Sequence, residues 1–180
     1  MTYNSNHMEG SMLTEAQTRM IFETSTIDAG DGILIDDILE TVHHFRAIDY
    51  CIDVAEEPLS EDIIKHLHFI LKNSTKDSTL SWFAVGDYKK RPNMVNGKET
   101  TAPANVHKEL QKLLANYLKK KTIQIEDIIS FHAQFEQILE YDKQSEKKTS
   151  SILLLGRFGF DGKNLERSGL FEYKDYGSKI

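Results

Sequence analysis

The sequence predicts a mainly α-helical domain that carries a small β-hairpin. Apolar residues recur at three- and four-residue spacing in several separate stretches, which is the period of a helix face. Helix punctuation stands at the ends of those stretches: Thr14 with Gln17, Ser60 ahead of Glu61 and Asp62, and Pro103. Between Trp82 and Ala104 the periodicity breaks, and Asn96-Gly97 sits between short extended pieces. That pair suits a two-residue hairpin turn, because both central positions need positive φ.

Taken in order, Thr14 caps a helix that begins at Glu15, with Gln17 at the reciprocal position of a capping box. Ile38, Val42, Phe45 and Ile52 share helical spacing and place a helix over about Asp36 to Val54. Glu56-Glu57-Pro58 ends it, since the residue before a proline avoids helical angles. Ser60 opens the next helix, whose buried stripe is Ile63, Leu67, Ile70 and Leu71. Pro103 belongs to the first turn of a helix that turns Val106, Leu110, Leu113 and Tyr117 inward. The run Lys119-Lys120-Lys121 reads as its C-terminal turn, where cations suit the helix dipole. The last helix starts near Glu126 and shows Ile128, Phe131, Phe135 and Ile138 on one face.

Composition narrows the function classes. The 180 residues are 39% apolar and 28% charged, as in a soluble globular chain, and the length suits one domain with a sizeable core. No apolar run approaches the roughly 18 residues of a transmembrane helix, and the N-terminus lacks the basic-then-apolar pattern of a secretory signal. No membrane partner is expected. Cys51 is the single cysteine, which excludes an internal disulfide and fits a reducing compartment, the cytoplasm. A formal net charge of −6 argues against nucleic acid as a partner, because its binders are basic.

General catalytic signatures are missing. The seven histidines make no HExxH or Cys/His zinc spacing, so no metal site is expected. His66 and His68 are two apart on a helix and diverge. His43-His44 read as one core-edge and one exposed residue, and Asp36-Asp37 as dipole-favouring residues at a helix start. Without a Gly-x-Ser-x-Gly elbow or a Walker loop, neither Cys51 nor a serine is a candidate nucleophile.

Three segments, in order along the chain, carry a family likeness. "YNSNHMEGSMLTEAQT" contains Ser5, Glu9 and Gly10 in the pattern Ser/Thr, three residues, Glu, then Gly or Asn. "VGDYKKRPNMVNGKETTAP" surrounds the expected hairpin, and "DIISFHAQFEQI" forms the last helix. In these segments the chain resembles the Fic family, whose members transfer AMP from ATP to a hydroxyl on a target protein. The likeness covers about residues 3 to 138. It implies a Fic-like helical domain over 1–138, with an N-terminal inhibitory-type helix and a hairpin flap, followed by a divergent segment, 139–180, of the same domain. By the resemblance, Ser5, Glu9 and Gly10 are inhibitory. Val85, Gly86, Asp87, Tyr88, Val95, Asn96 and Gly97 form the flap on which a target protein docks by strand addition. ATP and magnesium are the implied cofactors; that neither binds here remains open. A homo-oligomer is compatible with the sequence.

The family's signature, HPFxDGNGR, is absent. Laid directly after Ile138 it falls on "LEYDKQSEK", so that Leu139 takes the histidine position and Lys143 the acidic position. Gln144, Ser145 and Glu146 replace Gly-Asn-Gly, Lys147 replaces the first arginine and Ser150 the second; only Tyr141 is chemically similar. The histidine is the general base that takes the proton of the attacking hydroxyl, a role worth about 10²–10⁴-fold in rate, and leucine has no titratable group. Magnesium prefers hard oxygen ligands, which lysine is not. Side chains at Gln144 and Glu146 obstruct the backbone N–H cradle that phosphates need. Lys147 is a weak nucleotide-binding candidate that lacks the arginine fork. Glu9 is an inhibitory residue whose expected partner arginine aligns with Ser150.

Past Ile138 the chain changes character, and residues 139–180 hold 5 of the 10 glycines. "GFDGKN", residues 159–164, reads as a turn, and His132 reads as structural. The loss of all likeness at one point suggests that the reading frame departs from an ancestral one near codon 139. The expected function is that of a Fic-family protein whose AMP transfer is lost or strongly impaired. One alternative is a non-catalytic peptide- or nucleotide-binding module that uses the flap. Another is a working transferase built on His132 or the "GFDGKN" turn.

Overall fold

The computed structural model describes residues 2–8, 11–28, 32–95 and 98–139. The expected segment 139–180 therefore lies, apart from Leu139, outside the described residues, as do Tyr141, Lys143, Lys147 and the "GFDGKN" stretch. Among the described residues the order is α1 (Thr2–Met8), α2 (Glu15–Thr24), α3 (Ile35–Asp53), α4 (Glu61–Lys72), a 3-10 turn (Lys76–Thr79), β1 (Met94–Val95), β2 (Lys98–Glu99), α5 (Pro103–Leu118) and α6 (Ile125–Leu139). The domain is mainly helical, as expected.

Local chemistry sets most helix ends. Thr14 closes a capping box at the start of α2: its Oγ1 accepts from the Gln17 N–H at 3.2 Å, and its own N–H donates to Gln17 Oε1 at 2.9 Å. The same helix stops at Ser25, whose left-handed φ of 54° lets its N–H reach the Ile21 carbonyl. Ser60 Oγ accepts from the Ile63 N–H at 3.3 Å and starts α4. Pro103 opens α5, where its missing N–H costs nothing. The lysine run lies just past α5: Lys119 is the C-cap, and Lys120 Nζ pairs with the Asp127 carboxylate at the start of α6. That placement corrects the expectation of a C-terminal turn, because the chain must already be turning towards α6.

The core runs along the α3–α4 and α5–α6 pairs. Leu67, Val106 and Leu110 are fully buried, and Ile63, Leu113, Tyr117, Phe131, Phe135 and Ile138 are buried where the periodicity placed them. Burying one such side chain stabilises by about 1.5–3 kcal/mol. Tyr117 and Phe131 tie α5 to α6 with ring centroids 4.8 Å apart.

Helix α3 departs from the reading. Its most buried positions are Thr41, His44 and Ala47 at 0% exposure, with Ile38, Val42, Phe45 and Ile52 only half-buried. The helix is covered on more than one side. It packs against α1, α2 and α4, and the Phe45 ring lies tilted against Phe22 of α2, centroids 4.9 Å apart. A single apolar stripe describes a helix with one wet face, not this one. For the same reason His43 and His44 are both buried, which overturns the exposed assignment for one of them. His43 Nδ1 lies 3.3 Å from the Leu71 carbonyl in the last turn of α4.

Candidate functional site

The residues brought together lie at the C-terminal end of α6. Helix α6 carries Phe131, Phe135, Ile138 and Leu139 into the core. Its last carbonyls have no partners within the helix, and one of them, Gln137 O, accepts the Thr101 N–H at 3.1 Å. Thr101 follows β2 closely. The short ladder, Met94 opposite Glu99 and Val95 opposite Lys98, therefore sits beside the end of α6. Met94 is 60% exposed. The predicted turn, Asn96 and Gly97, lies outside the described residues.

Leu139 is 6% exposed and belongs to the main hydrophobic core. Its side chain is packed and apolar, and can neither accept nor release a proton. His132 stands seven residues earlier, about 10 Å along the helix axis, with Nε2 3.3 Å from Glu136 Oε1. Among the described residues no group of three His, Cys, Asp or Glu side chains could hold a metal ion.

The segment that leads into the ladder is fixed by several contacts. Gly86 has φ +71°, and its N–H donates to His68 Nδ1 at 3.1 Å. The neutral His68 ring therefore carries its proton on Nε2. Burial, helped by the nearby Lys72, pushes the His68 pKa down to about 4. Asp87 takes an ion pair from Lys65 at 3.0 Å, and Lys65 also reaches Glu61 at 3.3 Å. The Tyr88 backbone N–H and Lys65 hold Asp87 below the usual carboxylate range. The ring of Tyr88 lies under Lys65 Nζ, 4.1 Å from its centroid. Burial and a hydrogen bond to Glu61 raise the Tyr88 phenol. Val85 is half-buried. Of the expected flap residues, Val85, Gly86, Asp87 and Tyr88 precede the ladder in the chain, and Val95 lies in β1.

Helix α1 contains Ser5 and docks on α3. Asn6 is 2% exposed, and its Nδ2 donates to Thr41 Oγ1 at 2.9 Å. Thr41 Oγ1 donates in turn to the Asp37 carbonyl at 2.8 Å, and Asp37 Oδ2 accepts the Met12 N–H at 3.0 Å. Glu9 and Gly10 of the inhibitory assignment lie outside the described residues.

Sequence reasoning missed several buried polar groups, Lys72 and His68 among them. Lys72, 1% exposed, pairs with Glu40 at 3.0 Å, and His68 is 6% exposed. The signal was available for His68, which stands four residues after Ile64 and three before Leu71 on one helix face. Cys51 is buried, and burial lifts its thiol to about 12, in keeping with its dismissal as a nucleophile. No described helix is long and apolar enough to cross a membrane.

No family model matches the chain, and no curated protein matches it. The structure is similar to the crystal structure of a Fic domain-containing signalling protein from Bacteroides thetaiotaomicron VPI-5482. The TM-score is 0.67 at 24% sequence identity, and the match covers 88% of this chain and 62% of that one. The chain therefore has a Fic-domain fold and spans less than two thirds of the length of that protein.

Proposed function

We propose that this Fic-fold chain is a Fic-family protein, related to enzymes that move AMP from ATP to a target hydroxyl, in which the transfer step is lost or strongly impaired. One observation carries the proposal: Leu139, at the position of the general base, is packed into the core at the end of α6. Without a base the attacking hydroxyl keeps its proton, and the penalty is about 10²–10⁴-fold in rate. The replacements at 143–146 weaken the means of holding a nucleotide and leave Lys147 as a lone point charge, since phosphates need N–H donors and hard-ligand magnesium. The strand pair beside α6 supports a surviving docking edge for an extended segment of a target protein.

Labelled ATP, magnesium and a cell lysate test this reading. Wild-type protein is expected to leave lysate proteins unlabelled, and sustained transfer of the AMP moiety overturns the proposal. Saturable ATP binding in calorimetry without transfer would favour a nucleotide-binding module instead.

A further inference from the structure

The lysine that precedes the strand pair is buried and takes no part in the proposed transfer site. Lys89 is 3% exposed, an unusual degree of burial for an ammonium group. Its Nζ donates to Asn93 Oδ1 at 2.8 Å and to Thr100 Oγ1 at 2.6 Å. Those two residues flank the ladder: Asn93 immediately precedes β1 and Thr100 immediately follows β2. They are also joined to each other, since the Thr100 N–H donates to the Asn93 carbonyl at 3.1 Å and the two side chains are hydrogen-bonded. The next residue, Thr101, donates to Gln137 O of α6.

We infer that Lys89 is a positioning residue that bolts the open end of the β1–β2 pair and so fixes the pair against the C-terminal turn of α6. Two two-residue strands cannot hold themselves together, because an isolated hairpin is marginal in water even when longer. Charge-assisted hydrogen bonds are about twice as strong as neutral ones, and in a water-poor site they are the strongest contacts available to this ladder. A single ammonium that grips both flanking residues closes the ladder where the turn does not reach. The Thr101–Gln137 bond then transmits that closure to α6. The clamp goes beyond the proposed function and holds whether or not the chain transfers AMP.

Site-resolved hydrogen exchange on the full chain tests it, with Lys89→Met, Thr100→Val and Thr100→Ser compared with wild type. Loss of the ammonium is expected to speed exchange of the Thr100 and Thr101 amides by about tenfold or more, the equivalent of one charge-assisted bond. The amides of Leu110 and Phe135 keep their wild-type rates. Thr100→Val reproduces the effect and Thr100→Ser, which retains the hydroxyl, does not. Unchanged Thr100 and Thr101 amides in Lys89→Met refute the clamp, as does acceleration spread evenly over α5 and α6. Should Lys89→Met fail to fold, the contrast between the valine and serine variants decides alone: equal rates in the two refute the inference.

Discussion

Lowering the pH from 7 to 5 weakens this fold through His68. In the folded chain His68 titrates at about 4 against an ordinary 6.5, chiefly because burial penalises its cation and further because Lys72 repels it, with Asp87 opposing. Between those values the unfolded chain binds a proton that the folded chain does not. Stability therefore rises with pH in that window and is lost as the pH falls from 6.5 towards 4. The whole window is worth roughly 3 kcal/mol, and the step from pH 7 to 5 about 2 kcal/mol. His43, lowered by burial as well, adds to the loss with the same sign. The two contributions separate in His68→Asn, whose carbonyl oxygen can still accept the Gly86 N–H but cannot titrate. Urea unfolding at a series of pH values between 4 and 8 is the assay. Near pH 5 the variant's slope of stability against pH is expected to be shallower than wild type by roughly 1.4 kcal/mol per pH unit. Equal slopes for the two proteins would refute the assignment of a buried, neutral His68.

Other consequences follow from the same contacts. Gly86→Ala forces a side chain into φ +71° with its Cβ 3.1 Å from Phe69 Cβ; a loss of about 1–2 kcal/mol is expected in urea unfolding. Thr41→Val keeps the shape but removes the hydroxyl that accepts from Asn6, at about 1–3 kcal/mol, and limited proteolysis ahead of residue 11 should accelerate. If the reading frame changed near codon 139, the source gene read in another frame encodes HPFxDGNGR just past that point; its absence from both other frames and from downstream DNA would end that idea.

The legible parts of the fold were those that local chemistry decides. The Thr14–Gln17 box, the Ser60 cap and Pro103 sit within a few residues of what they control, and α4 to α6 each turn a single apolar face to the core. Helix α3 was illegible because neighbours on several sides bury Thr41 and His44, and no period marks a polar residue whose partner comes from another element. The same holds for the site. A missing motif could be seen at Leu139 by laying the family pattern on the chain. The Lys89–Thr100 and Thr101–Gln137 bonds join residues 11 and 36 positions apart, and sequence spacing encodes neither.

The central claim of the proposed function is that, among the described residues, no group at the end of α6 acts as the base for transfer. In the family likeness Glu9 is the side chain that holds a working enzyme off, so Glu9→Gly removes inhibition as an explanation for silence. Label transfer from ATP by Glu9→Gly, with magnesium and lysate, is the direct measurement. The account predicts no more label on protein than in reactions without the chain. Robust, time-dependent labelling by the variant would contradict it.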